Sequence, residues 1–255
     1  MMMLESESLA ISFGGVRAVA GVSLAVARGE LVGLIGPNGA GKTTFLRLLT
    51  GVLTPDSGRV RFEGRDVTRM PIHRRAQLGF ALTHQIVRPF RDMTLLENVM
   101  VAAALEVTVH PWRALATVDA RAARERSMAL LERLGIADAA DKSARSVPLG
   151  YLKRMQVARA LALRPRLLML DEPLAGLNYT EAARFADLIV ELNQGGITIV
   201  LVEHNLGEVT RISQRLVVLH NGEVLAEGVP GPVMQREDVR EAYLGTSADA
   251  ETAHA

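Results

Sequence analysis

The sequence predicts an α/β fold built on a mostly parallel sheet, with antiparallel strands at its beginning and a helical lobe inserted in its middle. Short apolar runs, Leu31–Ile35, Leu167–Leu170 and Ile197–Val202, alternate with helical patterns, the order that parallel strands with crossover helices require. Alternating apolar residues in Leu9–Ile11–Phe13, Val22–Leu24–Val26 and Val60–Phe62 mark half-buried antiparallel strands. Between about Pro89 and Leu149 the texture turns to Ala, Leu, Glu and Arg with few glycines, which reads as helix.

Leu31–Ile35 ends in Gly36 and leads to a helical pattern containing Phe45, Leu46, Leu48 and Leu49, so strand, loop and helix follow one another. The charges of Arg121–Leu134 predict a helix with one solvated face. After Leu167–Leu170 comes a helix with Phe185, Leu188, Ile189 and Leu192 on one stripe, closed by Gly195 and Gly196. Leu216–Leu219 and Val224–Leu225 flank Asn221–Gly222, a strong hairpin signal. The small, polar residues 246–255 are expected to be disordered. In such sheets ligands bind beyond the carboxyl ends of the strands, so the site is expected on that edge.

Composition excludes several function classes. The 29 Lys and Arg nearly cancel the 28 Asp and Glu, so no bulk field calls for nucleic acid or an anionic bilayer, and no nucleic-acid partner is expected. With no cysteine among 255 residues there is neither a disulfide framework nor a thiolate metal site. Glu5 and Glu7 stand where an export signal would carry positive charge, so none is expected. The longest apolar stretches, near Val99–Leu105 and Ile197–Val202, fall far short of the roughly 20 residues that span a bilayer.

Gly36-Pro37-Asn38-Gly39-Ala40-Gly41-Lys42-Thr43-Thr44 satisfies G-x-x-x-x-G-K-[ST] between a predicted strand and a predicted helix. Its glycines let successive N–H groups converge on phosphate oxygens, the helix N-terminus adds partial positive charge, and Lys42 supplies a cation for the β- and γ-phosphates. The Thr43 hydroxyl is then placed for Mg²⁺. The loop alone does not separate an ATPase from a GTPase or a kinase, although an Asn-Lys-x-Asp base-reading motif is not found.

Leu167–Leu170 is followed by Asp171 and Glu172, two carboxylates at the tip of a buried strand. That arrangement suits a metal and an attacking water, with Asp171 holding Mg²⁺ through water and Glu172 polarising the nucleophile. His204 follows the strand Ile197–Val202 and should emerge on the same edge. A lone histidine after a strand is more often a capping or surface residue. Gln85 in a turn carries no functional weight by itself.

Taken together and in order, Phe13, Gly36–Thr44, Gln85, Val147–Tyr151, Asp171–Glu172, Gly176–Asn178 and His204 resemble the ABC ATPase family, over essentially Leu9–Gly245. The resemblance implies a P-loop NTPase core of ABC type, with an antiparallel β subdomain and an inserted α-helical subdomain at about 89–150, forming one domain at 4–245. It implies that Phe13 stacks on adenine and that Pro37, Asn38, Gly39, Ala40, Gly41, Lys42, Thr43 and Thr44 cradle ATP. Gln85, Thr43 and Asp171 would serve Mg²⁺, Glu172 would be the base, and His204 the γ-phosphate switch. Phe90–Thr94, Leu96–Val99, Ala175–Asn178 and Glu241–Gly245 are similar to ATP-binding subunits of branched-chain amino acid importers, whose relatives serve urea, amides or other carboxylates. The implied partners are a second ATP-binding subunit, membrane-embedded permeases met through Gln85–Val99, and, indirectly, a periplasmic binding protein, all at the cytoplasmic face of the inner membrane. An exporter ATPase, for example for lipopolysaccharide, is the alternative within the same fold, and a soluble ABC ATPase of DNA repair or translation the more distant one.

One motif departs from the family pattern. The Leu-Ser-Gly-Gly-Gln-like signature, which would act on the opposing subunit's nucleotide, reads Val147-Pro148-Leu149-Gly150-Tyr151. Pro148 removes the serine hydroxyl, while Gly150 still permits close approach in trans. Together with the family's use of two different ATPase subunits, this points to an asymmetric heterodimer, a homodimer being the alternative. In the helix that follows, Lys153 and Arg154 are expected to be solvated cations set against the helix dipole.

Overall fold

The computed structural model describes residues 1–108 and 120–252. The alternating N-terminal segments pair as an antiparallel hairpin of β1 (Met2–Phe13) and β2 (Val16–Ala27), turned by Gly14 and Gly15 in the left-handed region. With β4 (Ser57–Phe62) and β5 (Arg65–Asp66) they form a four-stranded sheet in the order β2-β1-β4-β5. Its inward residues, among them Leu4, Leu9, Val19, Val22 and Val60, are buried against α1 (Lys42–Thr50), whose Phe45, Leu48 and Leu49 fall on the facing stripe.

A second sheet carries six strands in the order β10-β9-β3-β8-β7-β6, and β9, β3, β8, β7 and β6 run parallel. They are β3 (Leu31–Ile35), β6 (Phe80–Thr83), β7 (Leu167–Asp171), β8 (Thr198–Val202), β9 (Arg215–His220) and β10 (Glu223–Gly228). Every residue of β3, β7 and β8 is buried, which is why these strands read as continuous apolar runs and not as alternation. Alternate residues still face opposite layers. Val32, Leu34, Met169, Val200 and Val202 join the core shared with α1, whereas Leu31, Ile35, Leu168, Leu170, Ile199 and Leu201 join the helical core on the other side. β9 and β10 close through Asn221 and Gly222, both at positive φ as the hairpin signal requires.

The helical segment lies between β6 and β7 and contains α3 (Leu95–Thr108), α4 (Ala120–Arg133) and α5 (Leu149–Ala162). Thr94 and Glu97 bond reciprocally at the start of α3, a capping box that fixes where the helix begins. On α4, Ala123, Ser127 and Leu131 are buried at four-residue intervals, while Arg121 and Glu125 pair on the solvated face. Residues 109–119 of the expected helical lobe lie outside the described residues. Behind β7, α6 (Tyr179–Gln194) opens on an Asn178–Glu181 capping box and buries Phe185, Ile189 and Leu192 as its stripe predicts. α7 (Leu206–Ile212), α8 (Pro230–Gln235) and α9 (Glu237–Thr252) complete the chain.

The last helix, α9, runs to Thr252, and 253–255 lie outside the described residues. One expectation is corrected here. Lys153 is not a solvated cation, and Arg154 is only partly exposed. Lys153 is 5% exposed, and the Arg154 guanidinium lies 5.8 Å from the centre of the Phe185 ring.

One buried cation is structural. Arg75, on α2 (Ile72–Gln77), is fully buried and donates to the carbonyls of Leu48 and Leu49 at the end of α1, and to those of Thr68 and Met70. It thereby satisfies last-turn carbonyls that no residue further along α1 can reach.

Candidate nucleotide site

The parallel register brings four loops to one edge. Leu34 pairs with Val202, Val202 with Asp171 and Thr83 with Leu170, so the segments after β3, β8, β7 and β6 leave the sheet side by side. Those segments are Gly36–Gly41, Glu203–His204, Glu172 and His84–Gln85.

The loop after β3 adopts its shape because glycine stands where a side chain cannot. A Cβ on Gly36 would overlap the Leu219 carbonyl, and one on Gly41, which is left-handed at the N-terminus of α1, would overlap the Ala18 carbonyl. Lys42, 6% exposed, folds back to donate to Gly36 O at 2.7 Å and Pro37 O at 2.9 Å. Burial holds its ammonium below the usual lysine range, against the pull of the Glu172 and Asp171 carboxylates. A phosphate that displaces these two carbonyls gains a desolvated cation and the free N–H groups of the α1 terminus.

Asp171 and Glu172 differ in environment although adjacent. Asp171 Oδ1 is buried without a hydrogen-bond partner. Burial and the neighbouring Glu172 charge push Asp171 above the usual carboxylate range, opposed by Arg47, Thr43 and Lys42. An orphaned buried carboxylate oxygen beside a hydroxyl is the arrangement a hard divalent cation relieves.

Glu172 has φ of 51°, an uncommon conformation for a residue with a side chain, costing on the order of 1–3 kcal/mol. Its N–H donates to Val202 O at 2.9 Å and its carbonyl accepts from Lys153 Nζ at 2.8 Å. Held this way, the carboxylate receives Gln85 Nε2 on Oε2 at 2.5 Å and stands with Oε1 2.6 Å from His204 Nε2. Three residues singled out separately in the sequence thus meet at one carboxylate.

A cleft of about 230 Å³ is lined by Ala18, the whole of Asn38–Thr44, Glu172 and His204. Phe13 is not among the lining residues. It ends β1 with its ring half exposed, on the hairpin whose Ala18 does reach the cleft. Gly150 is also outside it: in the first turn of α5, a Cβ there would meet Leu177 and Glu181 at ordinary contact distances. Pro148 caps α5 without a side-chain hydrogen bond.

Sequence reasoning missed three residues. Ala18 carries no chemical signal, because it matters only through strand placement. Glu203, 2% exposed, accepts from the backbone N–H of Leu174 at 2.6 Å and of His204 at 3.2 Å. Lys153 had a legible signal, since it shares its side of α5 with the buried Val157, Ala160 and Leu161 at helical spacing.

The family described as ABC transporter matches residues 19–175. The branched-chain amino acid transport ATP-binding protein BraF of Pseudomonas aeruginosa is 39% identical over 249 residues, covering 95% of this chain and 98% of that protein. LivG of Escherichia coli, which bears the same description, is 38% identical with the same coverage. The lipopolysaccharide export system ATP-binding protein LptB of Haemophilus influenzae is 33% identical, covering 96% of this chain and 98% of that protein. A solved ATP-binding cassette of an ABC transporter in its ADP conformation matches with a TM-score of 0.86 at 31% identity, covering 96% of this chain and 99% of that one. On these matches and on the strand edge that carries its phosphate loop, the chain belongs to the ABC transporter family, as an ATP-binding subunit that hydrolyses ATP.

Proposed function

We propose that this chain powers an importer of branched-chain amino acids or related small polar or amide substrates, with Glu172 as the base of its ATPase site. The observation that carries the catalytic assignment is the convergence of Gln85 and His204 on the Glu172 carboxylate. The cargo assignment rests on BraF and LivG, which are more similar to this chain than the lipopolysaccharide export protein is. The working domain is taken as 4–245, with the helical subdomain at about 89–150.

Lys42 and the N–H groups of Gly39–Thr44 bind the phosphates, and Phe13 supports the adenine from the β1–β2 hairpin. Thr43, Asp171 and Gln85 would hold Mg²⁺. No cluster of three or more metal-ligating side chains occurs among the described residues, which suits a Mg²⁺ carried largely by nucleotide phosphates. When bound, the ion neutralises phosphate charge. Glu172 accepts a proton from water, and His204 orients the carboxylate and contacts the γ-phosphate.

The cleft is smaller than the roughly 300–1,000 Å³ of a complete ligand pocket. It is read as half a site, the other half coming from the signature of a second subunit. Because Pro148 stands where that signature would offer serine, the second subunit is taken to be a different chain. Permease contact is assigned to Gln85–Val99. Ile86, Phe90 and Met93 are exposed there, and α5 braces the segment through Gln156 Nε2 to His84 O at 2.9 Å and Arg159 over the Phe90 ring. No helix among the described residues is long and apolar enough to cross a membrane, so the membrane path is assigned to permeases.

The test is reconstitution with candidate permeases and partner subunit in proteoliposomes, measuring ATP-driven uptake of leucine, urea and short amides. Uptake of leucine that is lost with Glu172→Gln supports the reading. Turnover stimulated only by lipopolysaccharide would replace the importer with the exporter.

A further inference from the structure

We infer that Lys153 is a positioning residue for hydrolysis: from α5 its ammonium holds the main chain of Glu172 so that the carboxylate faces Gln85 and His204. The inference rests on the reading of Glu172 as the base. Both backbone polar groups of Glu172 are bonded: the N–H to Val202 O on β8, and the carbonyl to Lys153 Nζ on α5 at 2.8 Å and to the Ala175 N–H of its own turn at 3.3 Å. A residue with a side chain persists at φ of 51° only where its surroundings over-determine it; the Ala175 bond closes its own turn, and the Val202 and Lys153 bonds tie that turn to β8 and α5. The direction of the carboxylate follows from the backbone held between them.

The lysine is otherwise costly at this position. Burial holds Lys153 below the usual lysine range, against the attraction of the Glu203 and Glu172 carboxylates, and its neighbours on the same side of α5 are Val157, Ala160 and Leu161. An apolar residue of similar length would pack there without desolvating a charge. The buried Glu203 at the tip of β8, which anchors the backbone N–H of His204, attracts the ammonium without a hydrogen bond to it. Lys153 therefore joins two pieces directly: the strand tip that bears the base and the helix whose N-terminus carries Pro148 and Gly150. A movement of that N-terminus is transmitted to the base through one hydrogen bond.

The experiment compares Lys153→Met and Lys153→Arg in the full chain with its partner subunits, measuring kcat, KM, affinity for a fluorescent ATP analogue and Tm. The expected result is a fall in kcat of about ten- to a hundredfold for Lys153→Met, the scale of one charge-assisted hydrogen bond, with nucleotide affinity held within about twofold. Lys153→Arg, which keeps the donor and charge, should recover most of the rate. On a Glu172→Gln background, Lys153→Met should lower the residual rate no further, because it acts through a base already removed. If Lys153→Met does not fold, Lys153→Gln, which keeps a donor without the charge, gives the same comparison of kcat against affinity. Unchanged kcat overturns the inference. So does a parallel loss of rate, affinity and Tm in which Lys153→Arg fares no better, the mark of a purely structural lysine. Wild-type turnover untouched by Glu172→Gln would overturn the reading of Glu172 itself, and that control separates the two failures.

Discussion

His204 Nε2 lies 2.6 Å from Glu172 Oε1, although the residues are 32 apart in the chain and sit on neighbouring strand tips. With Gln85 on the other oxygen, both atoms of the carboxylate are engaged. A base so engaged is oriented, and each oxygen keeps a second lone pair that can take a proton from water.

Replacing the carboxylate by an amide tests that role. Glu172→Gln preserves shape but removes proton acceptance and turns one acceptor oxygen into a donor, so turnover should fall about 10²- to 10⁴-fold while ATP binding persists. ATP should then trap a dimer, read by sedimentation with and without nucleotide. Retained turnover with no ATP-dependent dimerisation would contradict the assignment.

Asp171→Asn should separate stability from function. The native carboxylate is buried, carries an oxygen without a partner and stands beside Glu172, so removing its charge relieves repulsion in the metal-free protein. A gain on the order of 1 kcal/mol would raise Tm by about 2–4 °C in EDTA, while MgATP affinity falls. A lower Tm in EDTA would mean that the charge is compensated by a group other than the expected metal.

Gly41→Ala should abolish nucleotide binding by geometry. The added Cβ meets the Ala18 carbonyl, and the position is left-handed with φ of 95°, so the loop or β2 must shift. Destabilisation of about 1–3 kcal/mol is expected, with ATP affinity lost even where the chain remains folded in a thermal melt. Normal affinity would show that the loop reshapes without cost.

Pro148→Ser would supply two absent interactions. Pro148 caps α5 without a side-chain bond, and serine there should stabilise the helix by about 0.5–2 kcal/mol, visible in Tm. In the assembled pair it would restore a hydroxyl to the trans site, and turnover should rise by about tenfold. A gain in Tm with no gain in turnover would assign Pro148 a structural role only.

Much of this protein was legible because particular segments carry their own constraint. Leu31–Ile35, Leu167–Leu170 and Ile199–Val202 are apolar without interruption because both faces are covered, and their length and flanking residues identify them as strands. Gly36, Gly41 and Lys42 announce a phosphate loop because steric tolerance and charge reside in single residues. By contrast, β6 (Phe80–Thr83) went unread, since a four-residue strand carries too short a pattern to mark itself.

The sequence by itself determined the central strands β3, β7 and β8, the phosphate loop and the acidic strand tip, since each depends on residues adjacent in the chain. Only the tertiary structure decided that Gln85, His204 and Lys153 meet at Glu172. Those contacts follow from the parallel register of β6, β7 and β8 and from the packing of α5 across their ends. Burial supplied the rest of the difference: the same lysine reads as a solvated cation in one dimension and, enclosed in the core, as a hydrogen-bond donor to the backbone of an acid.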